Sequence, residues 1–176
     1  RQFRLAFGTF VGMPEPGKFA EGREYLRARW RVNPAGALAA ECAGELIGTN
    51  QASAWGSVGY LGPLVVRPDY WDRGVGKRLL EATMPLFEAW GIRHVGLFTF
   101  PHSAKHVGLY HKFGFCPRFL TAIMTKAVAD AGSGREVQRY SALSESQQAE
   151  ALRSCREVSE SLLEAADVLG VELKFD

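Results

Sequence analysis

The stretch that decides the fold runs from residue 67 to residue 80 and reads RPDYWDRGVGKRLL. Gly74 and Gly76 stand between a strand-like run and a helix-like run. The first N–H groups of a helix have no partners and carry partial positive charge, so glycines there let an anion come close. Arg73 and Lys77 add positive charge beside them. The stretch is suited to a pyrophosphate, although two glycines that only shape a turn would read the same way.

Two familiar phosphate loops do not fit this stretch. A dinucleotide-binding loop needs GxGxxG, and Leu79 stands where the third glycine belongs. A Walker loop needs GxxxxGK followed by Ser or Thr, and Arg78 follows Lys77 here. These mismatches argue against an NAD-type or nucleotide-binding protein, which stays a separate hypothesis that a comparison of ligand binding would decide.

Composition sets the broad class. The 176 residues are 47% hydrophobic and 23% charged, which predicts a globular domain with a core of its own. A net charge of +2 gives no indication of nucleic acid. We find no secretory leader and no apolar run long enough for a membrane. Cys42, Cys116 and Cys155 lie far apart, which predicts reduced thiols, a cytoplasmic protein and no metal site.

The hydrophobic pattern predicts a mixed α/β sheet with helices on its faces. We expect interrupted pairing at Gly62-Pro63 and a kink or break at Pro85. Ala43-Gly44 is the expected hairpin turn. Helices are predicted at 2–11, 19–31, 75–90, 103–115 and 144–169, and strands at 36–42, 45–53, 58–68, 92–100 and 118–128, with 135–143 extended.

The second predicted helix carries arginines at positions 23, 27, 29 and 31. A solvated basic face is the simplest interpretation of this pattern. The alternative is that some of these arginines hold an acidic substrate.

The run at 64–80 also resembles the acetyl-CoA signature of the GNAT superfamily of N-acetyltransferases. In that signature a hydrophobic strand and a turn precede Gln/Arg-x-x-Gly-x-Gly/Ala at the start of a helix. Gly74 and Gly76 match the two small positions, and Trp71 stands where the family has Gln or Arg. Backbone contacts to phosphate do not depend on that side chain.

A second motif supports the resemblance. SAKHVGLYHKFGF, residues 103–115, is similar to the family's N-xx-A-xx-LY-x-K-x-GF helix. Ser103 replaces the usual Asn, and His106 replaces the usual small residue. The positions that match are Leu109, Tyr110, Lys112, Gly114 and Phe115. The two motifs follow the family's order, with a strand between them.

The resemblance implies a GNAT-like fold: a central, mostly antiparallel sheet, splayed in the middle, with helices on both faces. We expect a domain over 1–128 and an extension of linker and long helix over 129–176. The family's first strand is not found, so we expect residues to precede Arg1. The resemblance implies that acetyl-CoA is bound by the backbone of three strand residues, by the glycine loop and by the start of the later helix. These residues are Leu64, Val65, Val66, Asp72, Arg73, Gly74, Val75, Gly76, Lys77 and Ser103.

The resemblance also implies how protons move. Tyr110 occupies the position of the tyrosine that protonates the departing thiolate, although it could be a buried aromatic residue with a satisfied hydroxyl. The usual base position is Tyr60, and tyrosine is a poor base. His102 is the tentative base, with a relay through water as the alternative. His102 and His106 have the spacing of a metal pair but no third ligand nearby.

These inferences predict transfer of an acetyl group from acetyl-CoA to a primary amine, by direct attack, with no metal. The acceptor is a small molecule or a protein, and the sequence does not identify it. The alternative is a non-catalytic acyl-CoA-binding or sensor domain of the same fold. The helix at 144–169 has an apolar stripe that could cover the domain or form a homodimer.

Overall fold

The computed structural model describes residues 1–122, 124 and 138–168. Two helices are followed by four consecutive strands and then by a helix, a strand and two further helices. Within these residues the helices are α1 (Gln2–Phe10), α2 (Tyr25–Val32), α3 (Val75–Ala89), α4 (Ala104–His111) and α5 (Glu145–Leu162), and the strands are β1 (Ala37–Cys42), β2 (Glu45–Trp55), β3 (Val58–Leu61), β4 (Val65–Val66) and β5 (His94–Gly96).

The sheet is mixed, as predicted. β1 and β2 form an antiparallel hairpin whose turn, Ala43-Gly44, has positive φ at both residues. The long strand β2 pairs antiparallel with β1 along one edge and with β3 and then β4 along the other. β3 pairs parallel with β5, and this pairing runs from Val58 opposite His94 to Tyr60 opposite Gly96.

Pairing between β3 and β5 stops where the chain reaches Gly62-Pro63. Gly62 has a φ of 120°, and Pro63 has no N–H to donate, so the strand predicted at 58–68 divides into β3 and β4. β4 pairs with β2 only, and residues 97–100 belong to no strand. We call the space between β4 and residues 97–100 the wedge. It is the splay that the resemblance implies.

Helix α3 covers one face of the sheet. Its Leu80 and Phe87 pack with Ala52 of β2 and Leu61 of β3, all of them at most 3% exposed. Buried side chains on α3 recur at helical spacing, which gives the helix one apolar face. α3 continues through Pro85 without a break. Thr83 and Phe87, on either side of the proline, are both buried against the sheet, and this packing holds the helix together.

Several elements differ in extent from their predicted bounds. The helix predicted from residue 19 begins only at Tyr25, because left-handed backbone at Ala20 and Gly22 forms turns there. The strand predicted at 92–100 is reduced to β5, since only His94–Gly96 find partners on β3. α4 begins after Ser103, as predicted, but ends at His111.

The later part of the chain departs further from the prediction. The described part of the strand predicted at 118–128 is irregular, and the rest lies outside the described residues. A short 3-10 helix, Tyr140–Ala142, lies in the segment predicted to be extended. The capping box predicted at 144–147 is confirmed, but α5 ends at Leu162 rather than at 169, and residue 169 lies outside the described residues.

The chain after α5 returns to the turn between β2 and β3. Ser57 donates its backbone N–H to the carbonyl of Ala165 over 2.8 Å and its hydroxyl to the carbonyl of Glu164. Gly56 forms a β-bridge with Ala166. These contacts attach the end of the described chain to the sheet.

A buried hydrogen bond joins α3 to β2, and its removal should be measurable. Asn50 donates its side-chain amide to Thr83 Oγ1 over 2.8 Å, and both residues are 0% exposed. Thr83→Val keeps the shape but leaves that amide without a partner, so we expect the free energy of unfolding to fall by about 1–3 kcal/mol. Urea denaturation followed by circular dichroism measures it. Thr83→Ser keeps the hydroxyl and is the control; an equal loss in both variants would contradict the assignment.

Candidate active site

The glycine loop, residues 72–77, forms the turn at the N-terminus of α3. Gly74 is the N-cap, with a φ of 77°, and no side chain caps the helix. Asp72 is also left-handed, with a φ of 62°. Arg78 donates its N–H to the carbonyl of Gly74 over 3.1 Å, which is the first backbone hydrogen bond of the helix. The amides of the preceding residues in the first turn therefore have no partner within the helix. Such a turn holds several N–H groups toward one anion.

Gly76 lies where three elements converge. A methyl group on its Cα would come 3.6 Å from Leu109 of α4, 3.6 Å from Leu64 and 3.8 Å from Val66 of β4. A Cβ is therefore tolerated sterically in the structure, but it would fill the narrow space beside β4. We call this space beside Gly76 the cradle. It is open because glycine has no side chain, and it has the width of a slender chain running from the loop into the wedge.

The charged side chains of the loop are held by neighbours on the protein surface. The guanidinium of Arg73 lies 4.9 Å from the ring centre of Tyr70. Lys77 pairs with Glu81 at 3.2 Å, one turn along α3. Asp72 forms an ion pair with Lys105, in the first turn of α4. The loop and α4 thus face each other across the entrance to the wedge.

The side chain of Trp71 is half-buried, and no feature of the sequence predicted its contact. Its indole N–H donates to the carbonyl of Val66 over 2.8 Å. The side chain thereby joins the glycine loop to the end of β4. The residue that departs from the family signature has a structural role here, which leaves the backbone of the loop to face an anion.

The backbone of β4 offers hydrogen-bonding groups to the wedge. Arg67 donates its N–H to the carbonyl of Ile47 over 2.9 Å, and Val65 pairs with Thr49. Because backbone groups alternate in direction along a strand, those of Val65 point to β2 and those of its two neighbours point to the wedge. Of the three predicted contacts, Leu64 and Val66 therefore have the direction that a bound chain would need. At Val66 this applies to the N–H, because the carbonyl accepts the indole N–H of Trp71.

Tyr110 lies half-buried on α4, beside the wedge. Its ring packs at 6.1 Å from that of Phe115, edge to face. Burial, and secondarily the phenol of Tyr60, raises the pKa of Tyr110 to about 12. The hydroxyl is therefore protonated at neutral pH and able to donate a proton.

The two histidines near α4 differ in environment. His102 is exposed, with its ring 6.0 Å from Phe10 and 5.8 Å from Phe100. His106 is half-buried, and its ring lies 4.7 Å from that of Phe10. Burial, then the nearby charges of Lys105 and His102, lowers the pKa of His106. Its Nδ1 is buried and has no partner among the described residues.

Ser103 caps α4. Its hydroxyl oxygen accepts the N–H of His106 over 3.4 Å. This is the N-cap that the sequence predicted, and the hydroxyl hydrogen remains available to a ligand.

In the described ranges, no three His, Cys, Asp or Glu side chains cluster as a metal site would require. None of the described helices is long and apolar enough to span a membrane.

The sequence model of the acetyltransferase (GNAT) family matches residues 7–115, which is more than half of the chain. The chain belongs to this family, and it is an acyltransferase. A search of curated proteins found no match.

Solved structures share the fold. PH1933 from Pyrococcus horikoshii is 22% identical, with a TM-score of 0.58 over 69% of this chain and 83% of that chain. Ard1 from Thermoplasma volcanium is 19% identical, with a TM-score of 0.53 over 65% of this chain and 73% of that one. The aminoglycoside N-acetyltransferase AAC(6')-Iy, solved in complex with CoA, is 23% identical, with a TM-score of 0.46 over 52% and 75%. The likenesses to PH1933 and Ard1 show the fold.

The raised pKa of Tyr110 should make stability fall at alkaline pH. The neutral phenol is favoured in the folded state, so its contribution is complete below the ordinary pKa near 10 and is lost as the pH rises through about 12. Tyr110→Phe removes the titrating group. Between about pH 8 and about pH 11 we expect the variant to lose about 1 kcal/mol less unfolding free energy than the wild type. Urea denaturation at both pH values tests this, and equal losses would contradict it.

Proposed function

We propose that the chain is an N-acetyltransferase that transfers an acetyl group from acetyl-CoA to a primary amine. The observation that carries this proposal is the position of Gly76, beside both the anion-binding turn and the open backbone of β4. A ligand with a pyrophosphate at one end and a slender amide-containing arm matches this sequence of features. Acetyl-CoA is such a ligand, and it supplies the thioester.

The amides from Asp72 to Lys77 would hold the pyrophosphate, with Arg73, Lys77 and Ser103 close enough in the fold to assist. Backbone groups of Leu64 and the N–H of Val66 would pair with the arm. These assignments follow the direction of the backbone groups and the φ angles of the loop. They require no side chain at position 71, because Trp71 is engaged with Val66.

In the proposed reaction the neutral amine nitrogen attacks the thioester carbonyl carbon. A C–N bond forms, the C–S bond breaks and the nitrogen loses a proton. Tyr110 donates its phenolic proton to the departing thiolate, so the products are an N-acetylated amine and CoA as a thiol. The phenol regains a proton from solvent. Burial keeps this proton on the phenol until the thiolate forms.

A base must remove the proton that the attacking amine carries at neutral pH. His102 remains the proposed base, since its exposed ring can pass a proton to solvent. Its ring lies 5.8 Å from that of Phe100, at the end of the segment that borders the wedge. We also propose that the acetyltransferase domain spans residues 1–128 and that 129–176 is an extension attached to it.

Binding of acetyl-CoA can be tested with a pair of glycine variants. Gly76→Leu places a bulky side chain in the cradle, whereas Gly17→Leu adds one at an exposed position where nothing lies within 4 Å of an added Cβ. We expect Gly76→Leu to weaken the binding of acetyl-CoA by about ten-fold or more, and Gly17→Leu to leave it unchanged. Isothermal titration calorimetry measures both.

Two results would argue against the proposal. No binding of acetyl-CoA to the wild-type protein would refute it. Binding without release of CoA in a broad screen of amines, with the same affinity in Tyr110→Phe, would favour the acyl-CoA sensor instead. An enzyme should lose turnover in Tyr110→Phe while keeping its affinity for acetyl-CoA.

The indole hydrogen bond offers a separate test of the loop. Trp71→Phe keeps an aromatic ring but removes the N–H that reaches Val66. We expect weaker binding of acetyl-CoA, by about two- to ten-fold, because the loop is then less firmly held against β4. Trp30→Phe, on an exposed side chain, is the matched control. Equal affinities for the two variants would contradict a positioning role for Trp71.

A further inference from the structure

The face of the sheet opposite α3 carries polar side chains in buried positions. Gln51 and Ser53 alternate with Ala52 along β2, so they point away from α3 and toward α2. Gln51 is 6% exposed and Ser53 is 7% exposed. Buried polar groups cost free energy unless they are hydrogen-bonded, so this row calls for partners.

Two of the polar atoms in this row have no partner among the described residues. Gln51 donates its side-chain amide to the carbonyl of Leu26 in α2 over 3.4 Å, but its Oε1 is buried and unpaired. The indole N–H of Trp55, two residues beyond Ser53, is likewise buried and unpaired. One atom accepts and the other donates. A ligand with both an N–H donor and an oxygen acceptor would satisfy the two.

A positive charge lies over the same face. The Arg29 guanidinium of α2 is 3.5 Å from the hydroxyl of Ser53 and 5.1 Å from the ring centre of Tyr60. Tyr60 stands opposite Ser53 in the sheet. Arg29 therefore belongs to the part of the arginine-rich helix that faces the sheet, which is where an anionic group of a ligand would be held.

Aromatic rings connect this face to the surface. The ring of Tyr60 lies 5.6 Å from that of Trp55 and 6.1 Å from that of Phe98. Phe98 is 72% exposed, so the aromatic wall reaches solvent at that point. The aromatic side chains therefore connect the buried polar row to the protein surface.

The same face adjoins the proposed reaction centre. Tyr60 is the last residue of β3 to pair with β5 before the two strands part. Its phenol is near enough to Tyr110 to raise the pKa of that group. An acceptor held against Gln51 and Ser53 would thus present its amine close to the proton donor.

We infer that the acceptor binds on this face and that it is a small primary amine which also carries a carboxylate, held by Arg29 and by the polar side chains of β2. This inference rests on the proposed acetyl transfer. The amine N–H groups suit Gln51 Oε1, and carboxylate oxygens suit Arg29 and the indole N–H of Trp55. The free amino acids are the simplest members of this class.

The test compares amino acids with the amines that remain when their carboxylates are removed, such as lysine and cadaverine. Release of CoA is followed with a thiol reagent. We expect kcat/KM to be at least about ten-fold higher for the carboxylated members. Arg29→Gln should bring the two series to within about two-fold of each other. Arg27→Gln is the control, since Arg27 pairs with Glu24 at 3.5 Å and is exposed; it should keep the preference.

A second variant separates binding from folding. Gln51→Leu removes the unpaired oxygen together with the long hydrogen bond to Leu26, and these two effects oppose each other. The free energy of unfolding should therefore stay near that of the wild type, while KM for the acceptor rises by about ten-fold. A residue with only a structural role would show reduced stability and an unchanged KM.

Three outcomes would overturn the inference: decarboxylated amines that react as well as amino acids, a preference that survives Arg29→Gln, or no acceptance of either series by a protein that binds acetyl-CoA. Failure to bind acetyl-CoA would instead refute the proposed function, and the inference with it.

Discussion

The site depends on the point where two parallel strands separate. β3 and β5 are paired as far as Tyr60 and Gly96, and the next residues of the two chains go different ways. Gly62-Pro63 cannot continue the hydrogen-bond ladder between these strands, and β4 pairs with β2 only. Backbone groups that a sheet would ordinarily use are thereby left facing the wedge. A bound extended chain can use them as a further strand would.

Burial on the two faces of the sheet serves different purposes. On the α3 face, apolar side chains pack closely, and Thr83 accepts the side-chain N–H of Asn50, whose Oδ1 is the one atom of this pair without a partner among the described residues. On the α2 face, polar groups are buried with incomplete partners. The first arrangement stabilises the fold. The second lowers stability in the free protein, and such groups are a common feature of sites that complete their hydrogen bonds with a ligand.

The sequence was sufficient for the parts that depend on local rules. The hairpin turn, the capping box, the start of α3 and the interruption at Gly62-Pro63 each follow from a residue's own conformational preference. The length of a strand or helix was less predictable where its contacts with another part of the fold determine it. β5 has three residues because β3 offers no more, and the start of α2 depends on turns at Ala20 and Gly22.

The residues of the candidate site were predictable to different degrees for the same reason. The glycine loop could be recognised because two glycines at the start of a helix are a local feature, whereas the contacts of Trp71 and Gln51 are made across the fold. Trp71 reaches five residues back, and Gln51 reaches a carbonyl in α2. No spacing rule connects those positions. The difference between His102 and His106 was also hidden, because burial against Phe10 of α1 creates it.

The ion pair between Asp72 and Lys105 has a consequence for long-range electrostatics. Asp72 places a negative charge in a turn suited to an anion, and by itself it would repel an approaching phosphate. Lys105, from a separate helix, offsets that charge without occupying the amides. Both side chains are largely exposed, so the pair contributes little to folding. Its effect is on the local electrostatic potential. With Asp72 neutralised, the potential at the mouth of the wedge stays positive because of the helix N-terminus, which favours the approach of anions. Salt screens this potential, so the effect is largest at low ionic strength.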